Sequence, residues 1–122
     1  MEGQTVIKPL ALVIEDGYEL SHLLARITEM AGYEAEVIHS GDIALDRLAE
    51  VIPDLVLLDL NLPKILGSNI LLYIRSEPRL RKVYVIVVTA FQHLAESIYD
   101  QADHVLNKPF DLDELDRLLI RT

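Results

Sequence analysis

The sequence predicts an α/β domain built on a parallel five-stranded sheet with helices on both faces. Three observations carry that reading. Short apolar runs recur along the chain, segments with helical spacing alternate with them, and the polar residues able to do chemistry fall where the runs end. Runs apolar on both sides suit strands covered twice, and a strand–helix alternation joins such strands through right-handed crossovers.

The elements follow in order. Leu10-Ala-Leu-Val-Ile14 is the first run and stops at Glu15-Asp16. Leu20, Leu23, Leu24, Ile27 and Met30 then keep helical spacing, and Gly32 marks the helix stop. Glu34 to His39, with Ala35, Val37 and Ile38, reads as a modest strand. Ser40-Gly41-Asp42 opens a second helix, with Ile43, Ala44, Leu45, Leu48 and Ala49 expected inward and Ile52-Pro53 closing it. Leu55 to Leu58 is the third run and meets Asp59. Gly67 to Ser76 is a helix with Ile70, Leu71 and Ile74 inward, ending near Pro78. Val83 to Val88 is β-branched and reads most clearly as a strand. Leu94 to Gln101 is a weaker helix, Val105-Leu106 a short strand, and Asp111 to Ile120 a last helix.

Composition narrows the function. The 122 residues suffice for one core, and residues 1–122 read as one domain, either a whole small protein or a part of a longer chain. Half of them (51%) are hydrophobic, as a packed domain requires. No run approaches the ~20 apolar residues of a membrane helix, and the N-terminus lacks the pattern of a secretory signal. The chain has no cysteine, which excludes disulfides and thiolate metal sites and fits a cytoplasmic location. A net charge of -9 repels phosphate backbones, so direct nucleic-acid binding by this segment is not expected. His22, His39, His93 and His104 show no ligand spacing and are assigned to surfaces, and Tyr18 to packing or a rim.

The strand ends are the informative positions. In a parallel sheet Glu15-Asp16, Asp59, Thr89-Ala90 and Lys108-Pro109 all fall on one edge, where ligands of such folds bind. Two carboxylates ~4 Å apart repel by roughly 4 kcal/mol at an effective dielectric near 20. Three carboxylates and one ammonium leave an excess of negative charge that a divalent cation would balance. Oxygen ligands without His or Cys suit a hard ion, Mg²⁺ first and Mn²⁺ also. An aspartate beside such an ion, a lysine and a hydroxyl has the parts of a phosphoryl-transfer site, with Asp59 as nucleophile.

These residues, in this order, resemble the receiver domain of two-component response regulators. The likeness covers nearly the whole chain and rests on Glu15-Asp16, Asp59 in LVLLDLNLP, Gly67, Thr89-Ala90 in VIVVTA, and Lys108-Pro109 in LNKPF. It implies a flavodoxin-like (βα)5 three-layer sandwich with strand order 2-1-3-4-5. Asp59 would be the phosphoacceptor and Asp16 a direct Mg²⁺ ligand, with Glu15 binding through water and Asn61 through its main-chain carbonyl. Lys108 would contact the phosphoryl group and Thr89 would turn its hydroxyl toward it, while the small Ala90 leaves access. The Lys108-Pro109 bond is expected to be cis. The implied partner is a sensor histidine kinase or histidine phosphotransfer protein. The domain would help modify itself without turning over a separate substrate, as a monomer or weak dimer.

The resemblance has departures. The segment between Thr89 and Lys108 is shorter by roughly one helical turn (~3.6 residues), so a short or irregular fourth helix is expected. Val105 stands where the family usually carries an aromatic that moves with the threonine. Leu66 stands where the family commonly carries an acidic or polar residue, and Phe91, two after Thr89, puts an apolar group near the site entrance and is expected to slow loss of the phosphoryl group. An alternative reading is therefore a pseudo-receiver that binds partners without phosphorylation.

Overall fold

A computed structural model describes residues 7–91 and 93–120. Strand β1 (Leu10–Ile14) leads to α1 (Tyr18–Met30), β2 (Glu34–Ile38) to α2 (Gly41–Glu50), and β3 (Leu55–Asp59) to α3 (Gly67–Ser76). A 3₁₀ turn at Pro78–Leu80 precedes β4 (Tyr84–Thr89), α4 (Glu96–Gln101), β5 (His104–Asn107) and α5 (Leu112–Leu119). All strand pairs are parallel, in the order β2-β1-β3-β4-β5. The order reverses between β1 and β3, which opens a crevice at their carboxyl ends.

Alternation along each strand builds two cores. Leu12, Ile14, Val56, Leu58, Val85 and Val87 face Ala44 and Leu48 of α2, Ile70, Leu71 and Ile74 of α3, and Ile98 of α4. Ala11, Val13, Leu55, Leu57, Ile86 and Val88 face Leu24 and Ile27 of α1 and Leu115 and Leu119 of α5. Every residue of β3 and β4 is buried, as strands covered on both faces must be.

The structure corrects several local expectations. Ile43 and Ala49 are exposed, Ile43 by 53%, because α2 meets the sheet along the narrower stripe of Ala44 and Leu48. On α1, Leu23 and Met30 keep the spacing yet lie exposed. Strand β2 ends at Ile38, before His39, and β4 runs one residue later than expected, from Tyr84 to Thr89. The fourth helix is short, as expected, with six residues, and only its start differs, at Glu96 instead of Leu94.

Two glycines matter to these joins. Gly32 has φ 106°, the left-handed region, and lets the chain leave α1 with its N–H on the Glu29 carbonyl. Gly67 opens α3 against the end of β3, where a Cβ would collide with the Asp59 carbonyl oxygen. Its N–H bonds the Leu60 carbonyl at 3.0 Å, so the β3–α3 loop is pinned beside Asp59. Among the described residues no helix is long and apolar enough to cross a membrane.

Candidate functional site

Register brings the acidic residues together. Ile14 pairs with Leu58, so the next residues on each strand, Glu15 and Asp59, emerge side by side. The Glu15 N–H bonds the Ile38 carbonyl, which continues the ladder past β1 and holds the residue in place. Glu15 and Asp59 are almost completely buried, at 4% and 5% exposure, while Asp16 faces solvent. One carboxylate oxygen from each of Glu15, Asp16 and Asp59 lies within 4.8 Å of the others.

Each buried acid is held by specific donors. Glu15 Oε2 accepts the Gly17 N–H at 3.1 Å, and Glu15 Oε1 accepts from Lys108 Nζ at 3.1 Å. Asp59 Oδ1 accepts the Asn61 N–H at 3.1 Å, and Asp59 Oδ2 lies 3.8 Å from Lys108 Nζ. Lys108 is thus an ion-pair partner of both acids and sits closer to Glu15 than to Asp59. Its own N–H bonds the Thr89 carbonyl at 2.8 Å, which ties the lysine to the end of β4. The Lys108-Pro109 peptide is cis.

Burial raises the pKa of both acids. For Glu15 loss of water dominates; the Gly17 N–H and Lys108 oppose it, and the charge on Asp59 adds to it. For Asp59 burial again dominates, with the Asn61 N–H and Lys108 lowering the value and Asp16 raising it. One ammonium does not satisfy this pocket: three carboxylates converge on it. Oxygen ligands of that charge, partly exposed through Asp16, fit a hard divalent cation.

Thr89 is buried, and its Oγ1 accepts the Phe91 N–H at 3.1 Å. Ala90 is exposed between them. Val105 pairs with Val87 in the β4–β5 ladder and packs, half-buried, on the α2–α4 side of the core. Phe91 and Leu66 are half-exposed and border a groove of about 330 Å³ beside Asn61.

Some contributors were not singled out in the sequence. Asn107, just before Lys108, donates from Nδ2 to the Phe91 carbonyl at 3.0 Å. Its place at a strand end was the available signal. Arg75 near the end of α3 donates to the carbonyls of Gln101, Arg81 and Val83 and pairs with Asp103 at 3.0 Å. No spacing rule marks such a residue, because its partners come from two separate stretches, 81–83 and 101–103.

Comparison with known proteins agrees with this geometry. Residues 11–120 match the family model of the response regulator receiver domain. The chain is 34% identical over 110 residues to the DNA-binding dual master transcriptional regulator RpaA of Synechocystis sp., covering 88% of this chain and 46% of RpaA. It spans about half the length of the transcriptional regulators it matches. Its structure is similar to a CheY-like response regulator receiver domain from Methylobacillus flagellatus, with TM-score 0.83, 28% identity and coverage of 93% and 97% of the two chains. It is also similar to the Mn²⁺-bound form of response regulator Rcp1, with TM-score 0.75, 26% identity and coverage of 91% and 88%. With the 2-1-3-4-5 parallel sheet and the acid pocket at its switch point, the match over nearly the whole length means that the chain belongs to the response regulator receiver domain family, the signalling domains of two-component systems.

Proposed function

We propose that this domain accepts a phosphoryl group on Asp59 from the histidine of a sensor kinase or a histidine phosphotransfer protein. The observation that carries the reading is the Asp59 carboxylate, fixed at a strand end with Lys108 Nζ 3.8 Å away and two further acids within reach of the same cation. Asp16 and Asp59 would ligate Mg²⁺ directly, with Glu15 acting through water and Asn61 through its carbonyl. Mn²⁺ would substitute, a choice supported by the similarity to Mn²⁺-bound Rcp1. The bound ion supplies positive charge that offsets the carboxylates and the phosphoryl oxygens.

The chain's own residues do the rest. An Asp59 oxygen attacks phosphorus in line with the phosphorus–nitrogen bond of the donor phosphohistidine. That bond breaks, its electron pair stays on the imidazole nitrogen, and the phosphoryl group is left on Asp59 as an acyl phosphate. Lys108 stays beside the transferred group and balances its charge. The Thr89 hydroxyl, released from the Phe91 N–H, turns to donate to a phosphoryl oxygen. The product is a changed surface, so the domain switches a partner or an attached effector without consuming a separate substrate.

The test is intact mass after incubation with Mg²⁺ and acetyl phosphate. The wild type gains one phosphoryl group, chelation of the metal prevents the gain, and Asp59→Asn gains none. Failure of the folded wild type with several donors would end this reading. The six-residue α4 and Val105 favour one alternative, a pseudo-receiver that binds partners independently of phosphorylation, and that result would select it.

A further inference from the structure

A second group of ligand-type side chains lies on the same sheet edge as the acid pocket but outside it. Tyr18 and His22 stand at the start of α1, and His39 follows the last residue of β2. Their rings pack together. Tyr18 lies 4.4 Å from His39 and 6.2 Å from His22, and the two imidazoles are 6.5 Å apart, centroid to centroid. His22 is exposed and His39 half-buried.

Hydrogen bonds fix where each neutral imidazole keeps its lone pair. His22 Nδ1 lies 2.6 Å from the Tyr18 carbonyl, which can only accept, so Nδ1 carries the proton and Nε2 the lone pair. Ser21 Oγ donates its single hydrogen to the same carbonyl at 3.0 Å. In its contact with His39 Nε2 at 3.2 Å the serine oxygen must therefore accept, which leaves the His39 lone pair on Nδ1. Metal-bound histidines take this form, with one ring N–H tied to a neighbouring acceptor and the other nitrogen open to the ion. With metal–nitrogen bonds of about 2.1 Å, two imidazoles on one ion have centroids roughly 5–6.5 Å apart. This pair stands at the upper end of that range, and only the exposed His22 need adjust.

We infer that His22 Nε2 and His39 Nδ1 form a binding site for a divalent transition-metal ion of the Cu²⁺, Ni²⁺ and Zn²⁺ class, separate from the oxygen ligands of the acid pocket. Imidazole nitrogen suits these ions, whereas carboxylate and carbonyl oxygen suit Mg²⁺ and Mn²⁺. Water fills the remaining coordination positions, which the exposure of His22 allows. The ion clips the start of α1 to the end of β2, one residue past the Ile38 carbonyl that holds the Glu15 N–H. This site does not depend on whether Asp59 accepts a phosphoryl group.

The test uses the untagged chain in excess Mg²⁺, which competes for the acid pocket. One equivalent of Cu²⁺ is added, and pulsed EPR counts the imidazole nitrogens on the ion. Wild type is expected to show two. His22→Gln and His39→Gln each lose the two-imidazole pattern, while His93→Gln and His104→Gln, which replace the other two histidines of the chain, keep it. Calorimetry with Ni²⁺ on the same proteins gives a Kd raised by roughly tenfold or more in His22→Gln and in His39→Gln, since even an outer partner of a ligand is worth about tenfold. Circular dichroism establishes that each variant is folded. An oxygen-only Cu²⁺ spectrum in wild type overturns the inference. So does a two-imidazole pattern that survives either His22→Gln or His39→Gln, or a Ni²⁺ affinity that neither substitution changes.

Discussion

The acid pocket and helix α4 belong to one domain, but very different amounts of structure hold them. Behind the pocket lies β3, all five residues buried, with Glu15 and Asp59 each fixed by a backbone N–H. Helix α4 has six residues, one buried side chain (Ile98) and no side-chain cap at its start. Its firmest tether is at the far end, where Arg75 Nε donates to the Gln101 carbonyl at 2.7 Å. The chemistry is thus placed by strands that cannot shift without opening a core, while the α4 side can rearrange at small cost. A switch needs both kinds of region: a rigid one to hold the reacting group and a soft one to respond.

The largest expected effect tests that contrast directly. Leu58→Ala removes a fully buried side chain just before Asp59 and should cost about 3–5 kcal/mol, since close-packed strands on both sides prevent collapse of the cavity. Ile98→Ala should cost about 2 kcal/mol, because a short peripheral helix can settle into the space. Urea denaturation gives both values, and hydrogen exchange should show the loss at Ile98 confined to α4. Equal costs, or exchange that spreads into β3, would break the comparison.

A smaller effect comes from the tether. Arg75→Ala removes donors from three carbonyls and the ion pair with Asp103, whose Oδ2 also accepts the Val85 N–H. The loss should be about 1–3 kcal/mol, because the freed carbonyls are partly solvated. Exchange should rise in α4 while the mass gain at Asp59 persists. Arg75→Lys should restore little, since an ammonium cannot span partners spread around a planar fork. If either variant abolished the mass gain, pocket and α4 would be one mechanical unit.

The same contrast explains what could be read in the sequence. The runs at β1, β3 and β4 were legible because strands buried on both faces leave unbroken apolar stretches. The pocket was legible because its residues sit at the ends of those runs, where parallel topology fixes their neighbourhood. Ile43 and Ala49 were misread because apolar spacing gives a helix face but not the width of the sheet beneath it. The packing of Tyr18, His22 and His39 was not legible either. His22 and His39 have ring centroids 6.5 Å apart, and His39 Nε2 lies 3.2 Å from Ser21 Oγ, contacts set by how α1 lies beside the end of β2. Arg75 was missed for a similar reason: three of its four partners are main-chain carbonyls, which have no signature in side-chain sequence, whereas Asn107 had its strand-end position as a signal.

The smallest effect concerns the cost of the rigid pocket itself. Burial raises the pKa of Glu15 and Asp59, so in the window between the ordinary carboxylate range and their folded values the native state binds more protons than the unfolded chain. Their contribution to stability is then fully present below that ordinary range and is lost as pH rises through the folded values. Asp59→Asn removes one of the two charges. In metal-free buffer its stability relative to wild type should therefore be smallest near pH ~4, where model carboxylates titrate, and should grow toward neutrality. Adding Mg²⁺ at ten times its Kd should return about 1.4 kcal/mol to wild type at neutral pH and less to the variant. Thermal melts of both proteins across pH, with chelator and with Mg²⁺, measure the gap. If it stays flat with pH, or Mg²⁺ raises both proteins equally, the pocket is already balanced by Lys108 alone, and the rigid region is not the electrostatically loaded one.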